Sequence, residues 1–190
     1  MRVTKQQAAE NRTRILTEAA RLFRERGLSG VGVDALTEAA GLTHGSLYSR
    51  FGSKEQLAAE ALGHALSTSS LARLPEQAGR DDLAAAVTRY LAPSHRDAPG
   101  QGCALAALGC EMARQPAALR EVFTEALKER VRVLSTSMPG GDSSAEAKAI
   151  ALLAGMVGAM VLARAVDDPA FSDRVLQASR DTLLGRIEDA

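Results

Sequence analysis

Thr43-His44-Gly45-Ser46, followed closely by Tyr48, Arg50 and Lys54, brings hydroxyl, imidazole, phenol, guanidinium and ammonium donors together in a short run. They can donate to acceptors held at fixed positions, such as base edges and phosphate oxygens. Chemistry of other kinds has no residues to carry it. No His, Cys, Asp and Glu group has metal-ligand spacing, and neither a Gly-rich phosphate loop nor a nucleophile elbow occurs. Gly27-Leu-Ser-Gly30 reads as a connection between helices. Enzymatic activity, a metal and a cofactor are therefore not expected.

The elements around the polar run explain its position. Val33, Leu36, Ala39 and Ala40 recur at helical spacing. Gly41 follows where the chain must leave that helix through a left-handed turn, which glycine adopts without steric cost. Thr43 can cap the next helix, whose Leu47 and Phe51 lie four apart and face inward. That leaves Thr43 to Ser46 at the exposed N-terminal end of the second helix. Two short helices across a glycine turn make a helix-turn-helix, and its second helix meets base edges with its N-terminal residues. Ser53-Lys54-Glu55-Gln56 reads as a capping box opening a further helix. Lys54 in its first turn opposes the helix dipole, an objection that a phosphate beside it removes. His44 is read as a donor to a guanine acceptor.

Residues Arg14-Ile-Leu, Ala19-Ala20, Leu22-Phe23, Gly27, Ala39-Ala40-Gly41-Leu42, Leu47-Tyr48, Phe51 and Ser53-Lys54-Glu55 together resemble the tetracycline-repressor (TetR/AcrR) family of bacterial transcriptional regulators. The resemblance runs from about Thr13 to Leu62. It implies that Tyr48 and Lys54 grip the DNA backbone and that Thr43, His44, Gly45 and Ser46 face bases, with Arg14 and Arg50 as further phosphate contacts. Gly32 stands where the family usually has a Ser or Thr cap, which lowers local stability slightly. Beyond Leu62 the chain resembles the family in helix count and character only.

Composition agrees with an all-α fold. The 190 residues include no tryptophan, and β-branched runs are short. Net charge is zero, but residues 1–54 carry nine Lys or Arg against five Asp or Glu, and the remainder has the opposite excess. A basic head on an acidic body suits one end presented to a polyanion. No charged-then-apolar leader opens the sequence. The longest apolar run, residues 149–163, spans roughly 22 Å against a ~30 Å hydrocarbon layer and is read as a buried helix. A cytoplasmic protein without membrane contact is expected.

Caps and breakers predict about nine helices: 11–26, 33–40, 44–50, 54 to about 67–70, 81–93, 103–115, 116–138, 143–166 and 169 onward. Pro75 to Gly79 reads as a loop and Pro93 to Gln101 as a flexible connection. Residues 1–53 form the three-helix DNA-binding head, and 54–190 the ligand-binding and dimerisation body. The eighth helix is apolar nearly all round, with small residues at Ala151, Ala154, Gly155 and Gly158. The ninth adds Phe171, Val175, Leu176, Leu183 and Ile187. Together they are expected to pair with their twofold mates in a homodimer that reads two half-sites.

The resemblance also implies an effector cavity in the body. Tyr90, Cys103, Ala106, Cys110, Phe123, Leu127, Met156 and Met160 are chosen as its lining from their inward faces, giving an apolar, Met-containing site. Glu111 and Arg89 read as surface groups, and His64 as a partner of Glu60. Cys103 and Cys110 lie about 10 Å apart along one helix, too far for the ~7 Å Cα separation of a disulfide. The expectation is a ligand-responsive homodimeric repressor of a palindromic operator, released by a small apolar effector. Two alternatives stand beside it: a thiol-based redox or electrophile sensor on the same scaffold, and a helical lipophilic-ligand carrier or enzyme with a vestigial head.

Overall fold

The computed structural model describes residues 5–69, 74–75, 78–138 and 143–188. Glu76 and Gln77 of the Pro75 to Gly79 loop, and the Pro-Gly-Gly of the Met138-Pro-Gly-Gly break, lie outside them. So does the Ser143 side chain, and with it the expected capping box. Among the described residues there are ten α-helices and no strand: α1 (Lys5–Arg26), α2 (Val33–Ala40), α3 (His44–Phe51), α4 (Lys54–Ser67), α5 (Arg80–Tyr90), α6 (Pro93–Asp97), α7 (Ala104–Met112), α8 (Ala117–Thr136), α9 (Ser143–Ala165) and α10 (Pro169–Glu188).

The all-α expectation holds, with one helix more than foreseen. Helix α1 starts at Lys5 rather than Asn11, since nothing from Lys5 to Glu10 breaks a helix. Helix α7 stops at Met112, three residues early. The segment from Pro93 to Gln101 is not a flexible connection: it forms α6 and a 3-10 turn over Pro99–Gln101. Long-range side chains hold its carbonyls. Arg164 of α9 donates to His95 O at 2.7 Å and Arg96 O at 3.1 Å. Arg24 of α1 donates to Gly100 O through Nε at 2.7 Å and also through Nη2.

His95 closes this segment onto α7. Its Nδ1 lies 2.7 Å from Tyr90 O, and its Nε2 accepts the Cys103 N–H at 2.9 Å, so the ring is neutral with its proton on Nδ1. Burial, with Arg164 nearby, pushes the His95 pKa below its usual value. His64, which bonds Thr17 Oγ1 at 2.9 Å, is lowered by burial and by Arg24. Both histidines therefore bind fewer protons folded than unfolded once pH drops below about 6.5, and stability falls with pH from there. The melting temperature should decline between pH 7.5 and 5.5, and less steeply in His95→Gln. Parallel pH profiles for the two proteins would contradict the role of His95.

The core is continuous from head to body. Ile15, Phe23, Leu36, Leu47 and Phe51 join Leu57, Leu62 and Leu66 of α4, which join Leu83, Leu108, Met156, Met160 and Leu176. Helix α4 packs on α1 on one side and on α7 and α8 on the other. Helix α9 is the one described helix long and apolar enough to cross a bilayer. It packs on α7, α8 and α10, while Ile150, Ala151, Ala154, Leu162 and Ala165 remain exposed.

Candidate nucleic-acid interface

The motif is built by local rules. Helix α2 ends at Gly41 with φ +63°, where Gly41 N–H bonds Glu38 O and Leu42 N–H bonds Thr37 O. This double closure needs the left-handed residue that only glycine supplies cheaply. Thr43 caps α3, its Oγ1 accepting the Ser46 N–H at 3.3 Å. Gly32 caps α2 with backbone only. Ser53 caps α4, its Oγ accepting the Gln56 N–H at 3.0 Å. Leu47 and Phe51 are buried, and α3 packs on α2 and α4.

The opposite face of α3 is open. Thr43, His44, Gly45, Tyr48, Ser49 and Arg50 are exposed and Ser46 is half-buried. His44 Nε2 lies 2.6 Å from Asp34 Oδ1 of α2, and both groups are on the surface. Within the protein the imidazole thus meets a carboxylate across the turn, which orients its ring beside the tip. Arg14 is exposed on α1, 3.4 Å from Asn11 Oδ1. Lys54 is half-buried in the first turn of α4.

The sequence reading missed the residue that ties these elements together. Arg12 of α1 donates to Arg50 O at 3.1 Å, pairs with Glu60 of α4, and lies 4.5 Å over the Phe51 ring. It fixes the C-terminal end of α3 to α1 and α4. Glu60 is accordingly the partner of Arg12 and not of His64. A buried aromatic four residues after Leu47 was the only signal, and periodicity does not name the cation above it.

The expected effector lining divides among three places. Phe123 and Leu127 line an open cleft of about 980 Å³ between α7, α8 and α9, together with Leu105, Gly109, Val131, Lys128 and Glu146. Ala106 and Cys110 line a second cleft of about 670 Å³ between α1 and the body, beside Arg24, Arg96 and Arg164. Tyr90, Cys103, Met156 and Met160 border neither; they are packed in the core. Inward-facing positions on a helix do not distinguish a cavity wall from a close-packed interior. Cys103 is buried and Cys110 exposed, and both are free thiols. Burial raises the Tyr90 hydroxyl pKa well above its ordinary value.

A capped helix offering a short polar tip, seated on a three-helix core and joined to a helical body, defines a helix-turn-helix DNA-binding protein. Residues 15–61 match the family model described as bacterial regulatory proteins, tetR family. The transcriptional regulator AcrR of Shigella flexneri is 42% identical over 59 residues, 31% of this chain and 27% of AcrR. The transcriptional repressor KstR2 of Mycolicibacterium smegmatis is 42% identical over 59 residues, 31% of this chain and 29% of KstR2. These matches span well under a third of each relative's length. A TetR-family transcriptional regulator from Cytophaga hutchinsonii is 25% identical, with TM-score 0.73, over 97% of this chain and 98% of that one. Residues 15–61 thus carry the head of a tetR-family regulatory protein, and the chain as a whole is similar in fold to that TetR-family regulator.

Proposed function

We propose that this protein is a cytoplasmic DNA-binding repressor that acts as a homodimer on a palindromic operator and is released by a small, largely apolar effector. Residues 1–53 read DNA, and residues 54–190 dimerise and bind the effector. The observation that carries this reading is the exposed, side-chain-capped tip of α3 on a buried apolar base. Thr43, His44, Gly45 and Ser46 approach base edges, and Tyr48, Lys54, Arg14 and Arg50 hold phosphates. The relatives named a regulator and a repressor support the same direction.

Dimerisation is supported by one solvent-facing surface. On α9 it comprises the exposed Ala151, Leu162 and Ala165 with half-buried Gly158, and on α10 the exposed Phe171 and Ala178 with half-buried Gly185, spaced at three, four or seven residues. A Cβ at Gly158 or Gly185 would meet nothing within 4 Å, so another helix can approach closely there. Leu176, Leu183 and Ile187, expected at the interface, are buried within the chain's own core. Gly155 faces Leu183 of α10, so its small size serves packing inside the chain.

The α7–α9 cleft supports the effector part. Its volume suits a drug-sized molecule, and Leu105, Phe123, Val131 and Leu153 give it an apolar wall. An occupant that favours one body shape shifts the heads by population.

Binding-site selection with the purified protein should return a palindrome. On that duplex, Lys54→Ala should weaken binding at every position alike and reduce the salt dependence by about one unit of slope. An effect confined to one base pair would contradict a phosphate contact.

A further inference from the structure

Helix α4 is the covalent bridge between head and body, yet a second attachment exists at the far end of α1. Glu111 of α7 accepts the Leu28 N–H through Oε2 at 3.1 Å. Leu28 directly follows Gly27, which ends α1 at φ +75°, and Gly27 N–H bonds Phe23 O at 2.8 Å. A Cβ on Gly27 would be strained by the left-handed backbone and would push the end of the Glu111 side chain aside. One turn earlier, Arg24 holds Gly100 O with two N–H groups. A Cβ on Gly100 would collide with Glu25 and Arg21 of α1. The contact is thus a joint made from both sides: Glu111 of α7 accepts from the Leu28 amide, and Arg24 of α1 donates to Gly100 O.

We infer that this joint, through Glu111 and Arg24, sets the angle of the head on the body and so determines the half-site spacing that the dimer accepts. This rests on the homodimeric operator-binding reading above. The geometry is specific. A head attached through α4 alone can swing about one helix, whereas attachment at both α4 and the end of α1 fixes its orientation. In a dimer, the orientation of each head sets the distance between the two α3 tips, which must match the turn of the duplex. Helix α7 carries Glu111 on one face, while Leu105 and Gly109 of the same helix line the cleft. A shift of α7 on cleft occupancy therefore reaches the head through a single rigid element.

The test uses the operator recovered by selection and the same operator with one base pair inserted between its half-sites. Wild-type protein should prefer the parent by about tenfold or more, because each insertion moves and rotates one half-site. Glu111→Ala combined with Arg24→Ala should bind both duplexes to within about threefold. Glu111→Gln keeps an acceptor for Leu28 N–H and should retain the wild-type preference, which separates the joint from general destabilisation. Hydrogen exchange at the Leu28 amide should quicken in Glu111→Ala and not in Glu111→Gln. Should the folded double variant discriminate spacing like wild type, the joint does not set the angle. Recovery of no palindrome by selection overturns the operator-binding reading itself, and with it this one.

Discussion

Leu162→Glu together with Phe171→Glu is expected to yield a single subunit in sedimentation and to lower operator affinity by about 10²–10⁴-fold. Leu162 is 59% exposed and Phe171 45% exposed, so neither contributes much to the core of its own chain. Their replacement leaves the monomer fold intact, which a far-ultraviolet spectrum would check. Two subunits would instead bring four carboxylates to one apolar surface, where burying an unpaired charge is costly. Loss of the twofold partner removes the second head, and with it the high effective concentration that a linked half-site supplies. Removing α9 is a poorer experiment, because Leu152, Leu153, Met156 and Met160 are part of the chain's own core. A double variant that sediments as a dimer and binds operator normally would move the interface elsewhere.

Phe51→Ala is expected to be the most damaging single change in the head. The ring is 3% exposed and carries the Arg12 guanidinium at 4.5 Å. Its loss leaves a cavity between α1, α3 and α4, at a cost of about 3–5 kcal/mol for a buried Phe. Against a total stability of about 5–15 kcal/mol that is a large share. For a chain of this size the melting temperature should fall by about 6–20 °C. Operator affinity should drop as well, since α3 loses the packing that aims its tip. Phe51→Leu keeps most of the apolar volume and should lose less on both measures. A decrease of under about 1 kcal/mol in Phe51→Ala would mean that Arg12 and Glu60 hold α3 without the ring.

The sequence was most readable where structure is local. The Gly41 turn, the Thr43 and Ser53 caps and the inward pair Leu47 and Phe51 all follow from interactions within five residues, so spacing alone reports them. The start of α10 is of the same kind: Asp168 Oδ1 accepts the Phe171 N–H at 3.0 Å, as Asp168-Pro169 suggested. Only the tertiary structure could decide the contacts that bridge distant residues. Arg12 finds Glu60, Arg24 finds Gly100, Leu28 finds Glu111, and Arg164 orders a segment whose prolines and glycine had read as loose. The same holds for Tyr90, Cys103, Met156 and Met160. Periodicity turned them inward, but whether an inward side chain borders a cleft or fills the interior depends on how neighbouring helices close over it. A charge or an apolar face in the sequence declares what it must satisfy; the folded chain chooses the partner.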